Sequence, residues 1–563
     1  MARKLLIAAL LALVPAAPAL AQGPDRSLLM PGVTYTRDVE FTPHGPVVLH
    51  VVNAPRPGGL YSLLPLLSNE AIVGDESVTQ MEKRYASTIT TVGVNGDLFN
   101  ARDGHPTGIV IRNGVLDHAP ARGRSSIGIT GDGSLRVERV DLAGYWKGTA
   151  QRRPIALNEL AGANGVSLFT PAWGPTTPNV GGVEAVIRPL PRAQPNVDLV
   201  GTVVQLGSTQ GATAIPPDGA VLQARGSEAA HLAAEAAAGS PVTIHLTLTP
   251  SWSDVVSALG GGPLIVRAGK PVFNAGEGFA PSQLSPRTAR AAVGQRADGR
   301  ILLVAVDGRQ PGYSAGMTNL ELALALMRLG AVTGSALGSG TSSVMAFDGQ
   351  LLSRPATAGG DIGVADALVV GYTGVYAAPP AEDVLSPNAD GVDDKQQLAY
   401  KLVRPSTVQA MLVAPDKTTR QLDSGQRAPG VYRFAWPGTS EPEGQWRFTV
   451  TATDDQGQTT TAERLFSLNN TLASLNVSAG GQRLSGTVNV VHAAQLTVTV
   501  ETPSKIVLRV LARRSVQPGT FAFSWDGRDD AKRIVRGSNL QIHVVAENDL
   551  GDVELRSGFT ARR

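Results

Sequence analysis

The chain has 563 residues, with 49 Lys and Arg against 47 Asp and Glu, and it contains no cysteine. Because the charge is nearly balanced and no basic cluster occurs, the composition argues against a nucleic-acid partner. The lack of cysteine excludes disulfides, thiolate metal ligands and cysteine nucleophiles. The length suffices for about three or four domains that each bury a core.

Residues 1–21 have the layout of a secretory signal peptide. Arg3 and Lys4 precede an apolar stretch that ends in Ala19-Leu20-Ala21. A short membrane anchor is the alternative, but Pro15 and Pro18 interrupt the apolar run. No later segment of the sequence predicts a transmembrane helix. We therefore expect an exported protein, either secreted or held in the cell envelope.

Strand signals dominate the chain beyond residue 21. Residues 22–85 predict a β-rich N-terminal extension, and residues 86–373 form the next predicted domain. This domain contains two predicted helices. The first, "SEAAHLAAEAAAG", starts with a Ser227 cap, and the second, "TNLELALALMRLG", starts with a capping box of Thr318 and Glu321.

Leu320, Leu324 and Met327 recur at helical spacing, so they are predicted to share one apolar face of the second helix. Before this helix, the continuous apolar run Ile301–Val306 predicts a strand that is buried on both faces.

Polar residues follow two of the predicted strands directly. "ITTVGVNGDLFN" ends at Asn95-Gly96-Asp97, and "ILLVAVDGR" ends at Asp307-Gly308-Arg309. Side chains at the end of a buried strand are held rigidly at the edge of a sheet, which suits catalysis. The alternative is that Asn-Gly and Asp-Gly are only turn formers.

Beyond Gly371 only strand signals remain. "YAAPPAEDVLSPNADGVDD" predicts a linker, and two sets of strand motifs then repeat, as in "YRFAWPG" and "FAFSWDG". We predict two all-β modules, at 374–470 (including the linker) and at 471–563, each an immunoglobulin-like sandwich. An extracellular module of this kind is more often a spacer than a functional site.

The acidic turn in this linker raises the question of calcium. Asn388, Asp390, Asp393 and Asp394 offer oxygen ligands, but their spacing does not complete an EF-hand loop. A solvated turn is the favoured interpretation. No metal and no other cofactor is predicted.

Several segments carry small or cationic residues that suit a ligand. Arg287 lies in "LSPRTARAAVGQ", a setting in which arginine can hold a phosphate. Glycines cluster in "ALGGGPLIVRAGK" and in "ALGSGTSSVM". A glycine-rich loop lets a ligand approach the backbone, although it can also be a plain turn.

The order of these segments resembles the phosphodiester glycosidase family over about residues 85–372. The segments that carry the resemblance are, in chain order, VNGDLFN, TPAWGPTT, ALGGGPLIVRAGK, SPRTARAAVGQ, LLVAVDGRQPGYSAGMT and LGSGTSSVM. The C-terminal modules resemble the bacterial FlgD/Vpr immunoglobulin-like domain through "SPNADGVDD" and "FSWDGRDD". The combined expectation is an α+β catalytic-type domain with a mixed sheet, followed by the two all-β sandwiches.

This resemblance implies a hydrolase that cleaves the glycosidic bond of sugar-1-phosphodiesters, with cell-wall or exopolysaccharide material as the partner. A phosphate leaving group needs less protonation than an ordinary sugar, so the demand for a strong general acid is reduced. By resemblance, Asp97 and Asp307 are the catalytic carboxylates and Arg287 binds the phosphate. The implied substrate-binding residues are Asn95, Arg309, Ser339, Gly340, Thr341, Ser342 and Ser343.

The loop at 336–343 departs from the family pattern. The family usually has Asn-Leu-Asp-Gly-Gly-Gly-Ser-Ser at this loop, whereas this chain has Ala336 in place of the Asn and Gly338 in place of the Asp. The alternative function is therefore a non-catalytic carbohydrate- or surface-binding protein that kept the fold. If the acidic residue was simply lost, a gap at Gly338 should face Asp307.

Overall fold

The computed structural model describes residues 25–272, 276–480 and 483–561, so the predicted signal peptide lies outside the described residues. Within these ranges the α-helices are short: α1 (Val78–Tyr85), α2 (Ser227–Glu235), α3 (Pro281–Leu284) and α4 (Asn319–Arg328). None of these helices has the length and hydropathy that crossing a bilayer requires. Strands make up most of the ordered structure.

The strands fall into four groups along the chain. The first group is β1 (Asp25–Met30), β2 (Val33–Thr42), β3 (Gly45–Ala54), β4 (Tyr61–Leu67), β5 (Thr90–Asn95), β6 (Val110–Arg112), β7 (Val115–His118), β8 (Ser125–Thr130) and β9 (Leu135–Arg139). The second group is β10 (Asp141–Lys147), β11 (Arg153–Leu157), β12 (Val166–Phe169), β13 (Gly182–Ile187), β14 (Asp198–Thr209), β15 (Ala220–Ala224) and β16 (Pro241–Thr249). The third group is β17 (Val255–Gly260), β18 (Leu264–Arg267), β19 (Lys270–Pro271), β20 (Arg290–Arg296), β21 (Ile301–Val306), β22 (Ala331–Ala336), β23 (Met345–Phe347), β24 (Gln350–Leu351) and β25 (Asp366–Tyr372). The last group is β26 (Tyr376–Ala377), β27 (Val384–Leu385), β28 (Gln396–Leu402), β29 (Ser406–Val413), β30 (Thr419–Arg427), β31 (Gly430–Trp436), β32 (Gly444–Asp454), β33 (Thr459–Leu468), β34 (Leu472–Gly480), β35 (Arg483–Val490), β36 (Ala494–Glu501), β37 (Val507–Val516), β38 (Gly519–Trp525), β39 (Gly537–Asn548) and β40 (Gly551–Ala561).

Two sheets enclose the core that carries the predicted site. The first has eight strands in the order β1-β2-β3-β21-β20-β22-β18-β19, and the second has the order β24-β23-β5-β25-β4. Strand β21 is buried along its whole length, as its apolar run predicts. Ile301, Leu303 and Ala305 point into the core between the sheets, and the alternate residues point towards α4.

A seven-stranded closed barrel interrupts these two sheets in the sequence. Its order is β10-β11-β12-β15-β13-β14-β16, and it has a separate core around Trp146 and Leu168. A five-stranded sheet, β7-β6-β17-β8-β9, belongs to the same part of the chain, and its strands precede and follow the barrel. No pattern in the sequence predicted this barrel.

The expected α+β class with a mixed sheet is wrong, because the protein is nearly all β. The capped helices are real but short, and the strands follow one another mostly as hairpins, so the pairing is antiparallel. Among the described residues only two strand pairs are parallel, β11 with β12 and β27 with β33. The sheets that hold the predicted site contain neither pair.

The N-terminal strands are not a separate extension. Strand β3 pairs along its length with β21, and β4 pairs with β25, so residues 45–67 complete both sheets of the main core. A strand can pair with strands that are distant in the sequence when its apolar face fits the same core. The boundary near residue 85 was predicted from local sequence patterns, which carry no information on such pairing.

The C-terminal part is all β. Sheets β26-β28-β31 and β27-β33-β32-β29-β30 share one core around Trp446, and sheets β34-β35-β38 and β37-β36-β39-β40 share another around Trp525. The immunoglobulin-like class of these modules stays a prediction.

The segment expected to be a linker is partly buried. Tyr376 packs against Phe347 of the preceding part of the chain and lies under the Arg464 guanidinium. Arg464 also donates to the carbonyl oxygens of Leu28, Leu29 and Ala377. These contacts tie the first C-terminal module to the main core.

The two predicted helices differ from their predictions in detail. The box of Thr318 and Glu321 is present, with the N–H of Glu321 donating to Thr318 Oγ1 and the N–H of Thr318 donating to Glu321 Oε2. The predicted cap Ser227 is instead the first residue of α2. In α4 the predicted face is the outer one, because Leu320 is 54% exposed and Leu324 is 40% exposed, whereas Leu322 and Leu326 are fully buried.

We expect Leu326→Ala to lower the free energy of unfolding by about 2–5 kcal/mol, because it leaves a cavity in a packed core. The matched variant Leu320→Ala should change it by no more than about 0.5 kcal/mol. Urea denaturation followed by fluorescence measures both. Equal losses would show that α4 presents a different face to the sheet.

Candidate functional site

Asp97 lies just beyond β5 and is almost fully buried, at 2% exposure. Its carboxylate forms an ion pair with Arg124, with 2.5 Å between Oδ1 and Nη2. Thr107 donates to the other carboxylate oxygen at 3.4 Å, and the Arg124 side chain also donates to Thr107 Oγ1 and to the Gly261 carbonyl. Arg124 is therefore the cation that the fold pairs with Asp97. It was missed in the sequence because nothing near Asp97 marks it.

Asp366 brings a second carboxylate to the same place. It opens β25, it is fully buried, and its Oδ1 accepts the N–H of Asp97 at 2.7 Å. Its Oδ2 has no hydrogen-bond partner among the described residues. The pattern that identified Asp97 and Asp307 missed it, because those two follow their apolar runs, whereas Asp366 precedes the run of β25.

The two carboxylates differ in their protonation. Burial raises the pKa of Asp366 well above its usual value, and the neighbouring Asp97 charge raises it further. Burial also raises the pKa of Asp97, but Arg124 opposes this shift. With one arginine for two buried acids, Asp366 holds a proton more tightly than Asp97 does, because Arg124 pairs with Asp97.

Glycines surround this pair because no side chain fits there. A Cβ atom at Gly96 would lie 2.1 Å from Asp366 Oδ1, and one at Gly260 would lie 2.1 Å from Asp97 Oδ2. A Cβ at Gly108 would lie 2.6 Å from the same oxygen of Asp97. Part of the glycine cluster in "ALGGGPLIV" is thus explained by contact with a buried carboxylate.

Asp307 lies beyond β21, at the centre of a second polar cluster. Its Oδ2 lies 2.9 Å from His50 Nε2 and accepts the Tyr313 hydroxyl at 3.1 Å, while its Oδ1 accepts the N–H of Arg354 at 3.0 Å. The other ring nitrogen of His50 lies 2.7 Å from the Tyr35 hydroxyl. Burial raises the pKa of Tyr35, so its hydroxyl keeps its proton and can donate to Nδ1, which leaves Nε2 as the donor to Asp307.

Arginines surround Asp307 on the solvent side. The Arg354 guanidinium lies 4.7 Å above the Tyr313 ring, and Arg37 hydrogen-bonds to the Tyr313 oxygen. Arg309 is exposed. Burial, together with the nearby charge of Arg309, lowers the pKa of Arg290 to about 10. Arg37, Arg290, Arg309 and Arg354 form no ion pair among the described residues. The region around Asp307 therefore carries an excess of positive charge.

The glycine-rich loop lies between the two clusters. Asn95 donates to the Gly338 carbonyl at 3.0 Å and accepts the N–H of Val344 at 3.2 Å. The next residue, Met345, donates its N–H to Ser353 Oγ, beside the Arg354 that contacts Asp307. Asn95 thus positions the loop.

Most of the predicted loop contacts are already used within the protein. The N–H groups of Gly338, Gly340 and Ser343 donate to the carbonyls of Gly96, Ala289 and Gly340. The hydroxyls of Ser342 and Ser343 donate to nearby carbonyls as well. Ser339 is half-buried and Thr341 is exposed, so these two remain the accessible polar side chains of the predicted set.

The expected gap at Gly338 does not exist. A Cβ there would lie 2.9 Å from Asn95 Nδ2 and 3.1 Å from the carbonyl oxygens of Gly96 and Asp97. Gly338 therefore faces the Asp97 cluster at close range. An acidic side chain would have to displace Asn95, which is itself buried and hydrogen-bonded.

The structure does not bring Arg287 to either aspartate. Its guanidinium forms an ion pair with Glu321 and donates to the Gly316 carbonyl at 2.7 Å. The pKa of Glu321 is lowered, since hydrogen bonds from Arg287 and Thr318 outweigh the opposing effect of burial. The same glutamate that caps α4 thus holds Arg287, and this long-range pairing was not visible in the sequence.

Comparison with known proteins relates part of this chain to one protein family. Residues 194–371 match the phosphodiester glycosidase family. The matched segment contains Asp307, Gly338, Arg354 and Asp366, whereas Asn95, Asp97 and Arg124 lie before it.

Solved structures give the fold relationship. A hypothetical protein from Synechocystis is 25% identical with a TM-score of 0.53, over 62% of this chain and 64% of the other. This chain thus spans less than two thirds of that protein. An exported protein of Burkholderia pseudomallei is 23% identical with a TM-score of 0.47, over 58% and 74%. The catalytic domain of zebrafish N-acetylglucosamine-1-phosphodiester alpha-N-acetylglucosaminidase is 14% identical with a TM-score of 0.34, over 62% and 85%. No curated protein matches.

We expect Asp366→Asn to flatten the dependence of stability on pH. In the folded state the pKa of Asp366 is raised, so above the ordinary aspartate pKa of about 3.9 the folded protein holds more protons than the unfolded chain. Stability therefore falls as pH rises towards the folded pKa, by up to about 1.4 kcal/mol per pH unit. Urea denaturation from pH 4 to 8 should show this slope in the wild type and in the exposed control Asp298→Asn, but not in Asp366→Asn. Parallel curves for all three would contradict the assignment.

We expect Gly338→Asp to destabilise the protein by about 1–3 kcal/mol, because the added side chain overpacks a filled site. Gly359→Ala is the control, since nothing lies within 4 Å of a Cβ at Gly359. Thermal denaturation measures both. A stable Gly338→Asp variant with increased hydrolytic activity would instead support a vacated acidic position.

Proposed function

We propose that the protein is an exported hydrolase that cleaves the glycosidic bond of sugar-1-phosphodiesters in cell-wall or exopolysaccharide material. The observation that carries the proposal is the match of residues 194–371 to the phosphodiester glycosidase family, because that segment holds Asp307 and two of the arginines around it. Export rests on the leader sequence alone.

The charge distribution suits an anionic substrate. Arg309 and Arg354 are exposed and lack carboxylate partners in the described ranges, so an incoming phosphodiester can replace water around them. Arginine forms bidentate contacts with phosphate oxygens. We assign the phosphate to these two residues in place of Arg287, with the hydroxyls of Ser339 and Thr341 as further donors.

The reaction requires water to replace the phosphate at the anomeric carbon. The bond between that carbon and the bridging oxygen breaks, the oxygen leaves with the phosphate, and water supplies the new hydroxyl group and a proton. A nearby carboxylate stabilises the oxocarbenium-like centre or takes the proton from water. Asp307 lies beside the unpaired arginines and is the first candidate, and Asp97 is the second.

Asp366 acts through Asp97 in this proposal. Its carboxyl group accepts the Asp97 N–H and fixes the Asp97 backbone, so it is a positioning residue. Asn95, two residues before Asp97, then fixes the position of the loop at 338–343 through its hydrogen bonds to Gly338 and Val344.

A hydrolysis screen tests the proposal. Purified protein is incubated with hexose and N-acetylhexosamine 1-phosphodiesters, and released reducing sugar is measured. We expect Asp307→Asn to lower kcat by about 100-fold or more. Arg354→Ala should raise KM by about tenfold, since one charge-assisted hydrogen bond is lost. The matched control Arg287→Ala should leave KM unchanged.

Two results would contradict this assignment. If Asp307→Asn keeps full activity while Asp97→Asn loses it, the carboxylate at 97 performs the reaction. If no phosphodiester is hydrolysed but one binds, the protein is the non-catalytic carbohydrate-binding alternative. The near-complete burial of Asp97 and Asp307, at 2% and 3% exposure, is the observation that favours this second candidate.

A further inference from the structure

A cavity of about 530 Å³ lies away from the Asp97 and Asp307 clusters, where the barrel meets the β6–β7 hairpin and β4. We call it the junction cavity. Its volume is within the range of small-molecule sites. The polar residues that line it include Glu70, Arg112, Asn113, Asp117 and Arg192, and the apolar lining includes leucines of β4, β12 and β14 and three exposed prolines.

The walls of the junction cavity are fixed to one another by backbone hydrogen bonds. Ile72 donates its N–H to the Ala172 carbonyl at 2.7 Å, and Leu116 donates to the Ala193 carbonyl at 2.8 Å. Asn158 joins the carbonyl of Asp117 to the hydroxyl of Thr170. The cavity is therefore held open by the fold rather than by a single loop.

Its charged groups balance one another. Arg112 donates from Nε to Asp117 at 2.6 Å and from Nη1 to Glu70 at 2.6 Å. Glu70 also accepts from Arg84 and from the Tyr85 hydroxyl. The lining thus contains two acids, Glu70 and Asp117, and two arginines, Arg112 and Arg192, so the cavity carries no net charge. This differs from the excess of positive charge around Asp307.

Several polar atoms of the lining keep unused hydrogen-bonding capacity. Asp117 is 5% exposed, and no hydrogen bond to its Oδ1 is found among the described residues. The amide of Asn113 and the guanidinium of Arg192 likewise have no hydrogen-bond partner within the described ranges. Asn113 and Arg192 are exposed, so these donors and the Asp117 oxygen are open to a ligand that supplies both donors and acceptors.

Backbone strain occurs at the same place. Asn69, Glu70 and Asn113 have φ values of 48°, 59° and 51°, in the left-handed region that non-glycine residues rarely adopt. Asn113 takes this conformation in the two-residue Asn113-Gly114 turn between β6 and β7, where asparagine is a usual choice. Glu70 is therefore the strained residue of the cavity lining.

We propose that the junction cavity binds a short neutral saccharide. Hydroxyl groups supply the donors and acceptors that Asp117, Asn113 and Arg192 lack. The apolar face of a sugar ring can pack on the exposed prolines of the lining, Pro171, Pro191 and Pro217. The balanced charge favours an uncharged sugar over an acidic one.

Binding of a neutral saccharide in the junction cavity does not depend on hydrolysis. A protein that hydrolyses phosphodiesters and one that only binds carbohydrate could both hold a neutral saccharide at this place. The binding test therefore uses sugars without phosphate, so that its failure is separate from a failure of the proposed function.

Isothermal titration calorimetry with the full chain and neutral gluco-, manno-, galacto- and N-acetylglucosamine oligosaccharides tests the proposal. We expect one class to bind. Asn113→Gly removes the amide but tolerates the left-handed backbone, and Arg192→Ala changes an exposed side chain. Each should weaken binding by about two- to tenfold, the loss of one hydrogen bond.

Matched controls separate the site from a general loss of structure. Arg188→Ala, an exposed arginine of the barrel region that does not line the cavity, should bind as the wild type does, and it should melt at the same temperature as Asn113→Gly and Arg192→Ala. Asp117→Asn gives a near-isosteric change at the buried acceptor and should also weaken binding. The proposal is overturned if no neutral oligosaccharide binds, if the three cavity variants bind normally, or if acidic oligosaccharides bind more tightly and in a salt-dependent manner.

Discussion

Two carboxyl groups buried beside one arginine constrain the centre of this protein. Asp97 and Asp366 are almost completely buried. Among the described residues, Arg124 is the single cation that pairs with either of them, and its partner is Asp97. Removing one partner of a buried ion pair typically costs about 3–5 kcal/mol, because the remaining charge is left without compensation. The strands that carry these residues must therefore meet in one register. Asn95 opposite Ala367 is the pairing that places Asp97 against Asp366.

The neighbouring sequence follows from this constraint. A carboxylate in a packed interior needs space, and Gly96, Gly108 and Gly260 provide it by lacking a side chain. Gly338 completes the same arrangement, since its carbonyl and N–H bond to Asn95 and Gly96. The glycine-rich loop with which the chain departs from the family pattern is thus explained by the packing of the Asp97 cluster. The departure at Gly338 does not by itself imply lost chemistry, because Asp366 supplies a second carboxyl group nearby.

Local patterns in the sequence predicted the local features. The apolar runs identified β5 and β21, and the polar residues that follow them identified Asn95, Asp97 and Asp307. Long-range partners were out of reach, because no spacing links Arg124 to Asp97, or His50 to Asp307. Arg287 was assigned to phosphate because the competing partner, Glu321, was visible only as a capping residue. The α+β class was wrong for a related reason, since two well-capped helices outweighed many short strands whose antiparallel pairing depends on contacts across the whole chain.

The two regions that can receive ligands differ in charge, and this difference follows from where their arginines find partners. Around the junction cavity, Arg112 is held by Asp117 and Glu70, so its charge is neutralised within the protein. Around Asp307, a single carboxylate faces Arg37, Arg309 and Arg354, and that carboxylate is already bonded to His50 and Tyr313. The electrostatic attraction of an anion is strongest where a positive charge has no partner within the protein and is partly shielded from water. A phosphodiester would therefore bind at the arginines around Asp307, whereas the junction cavity suits an uncharged ligand.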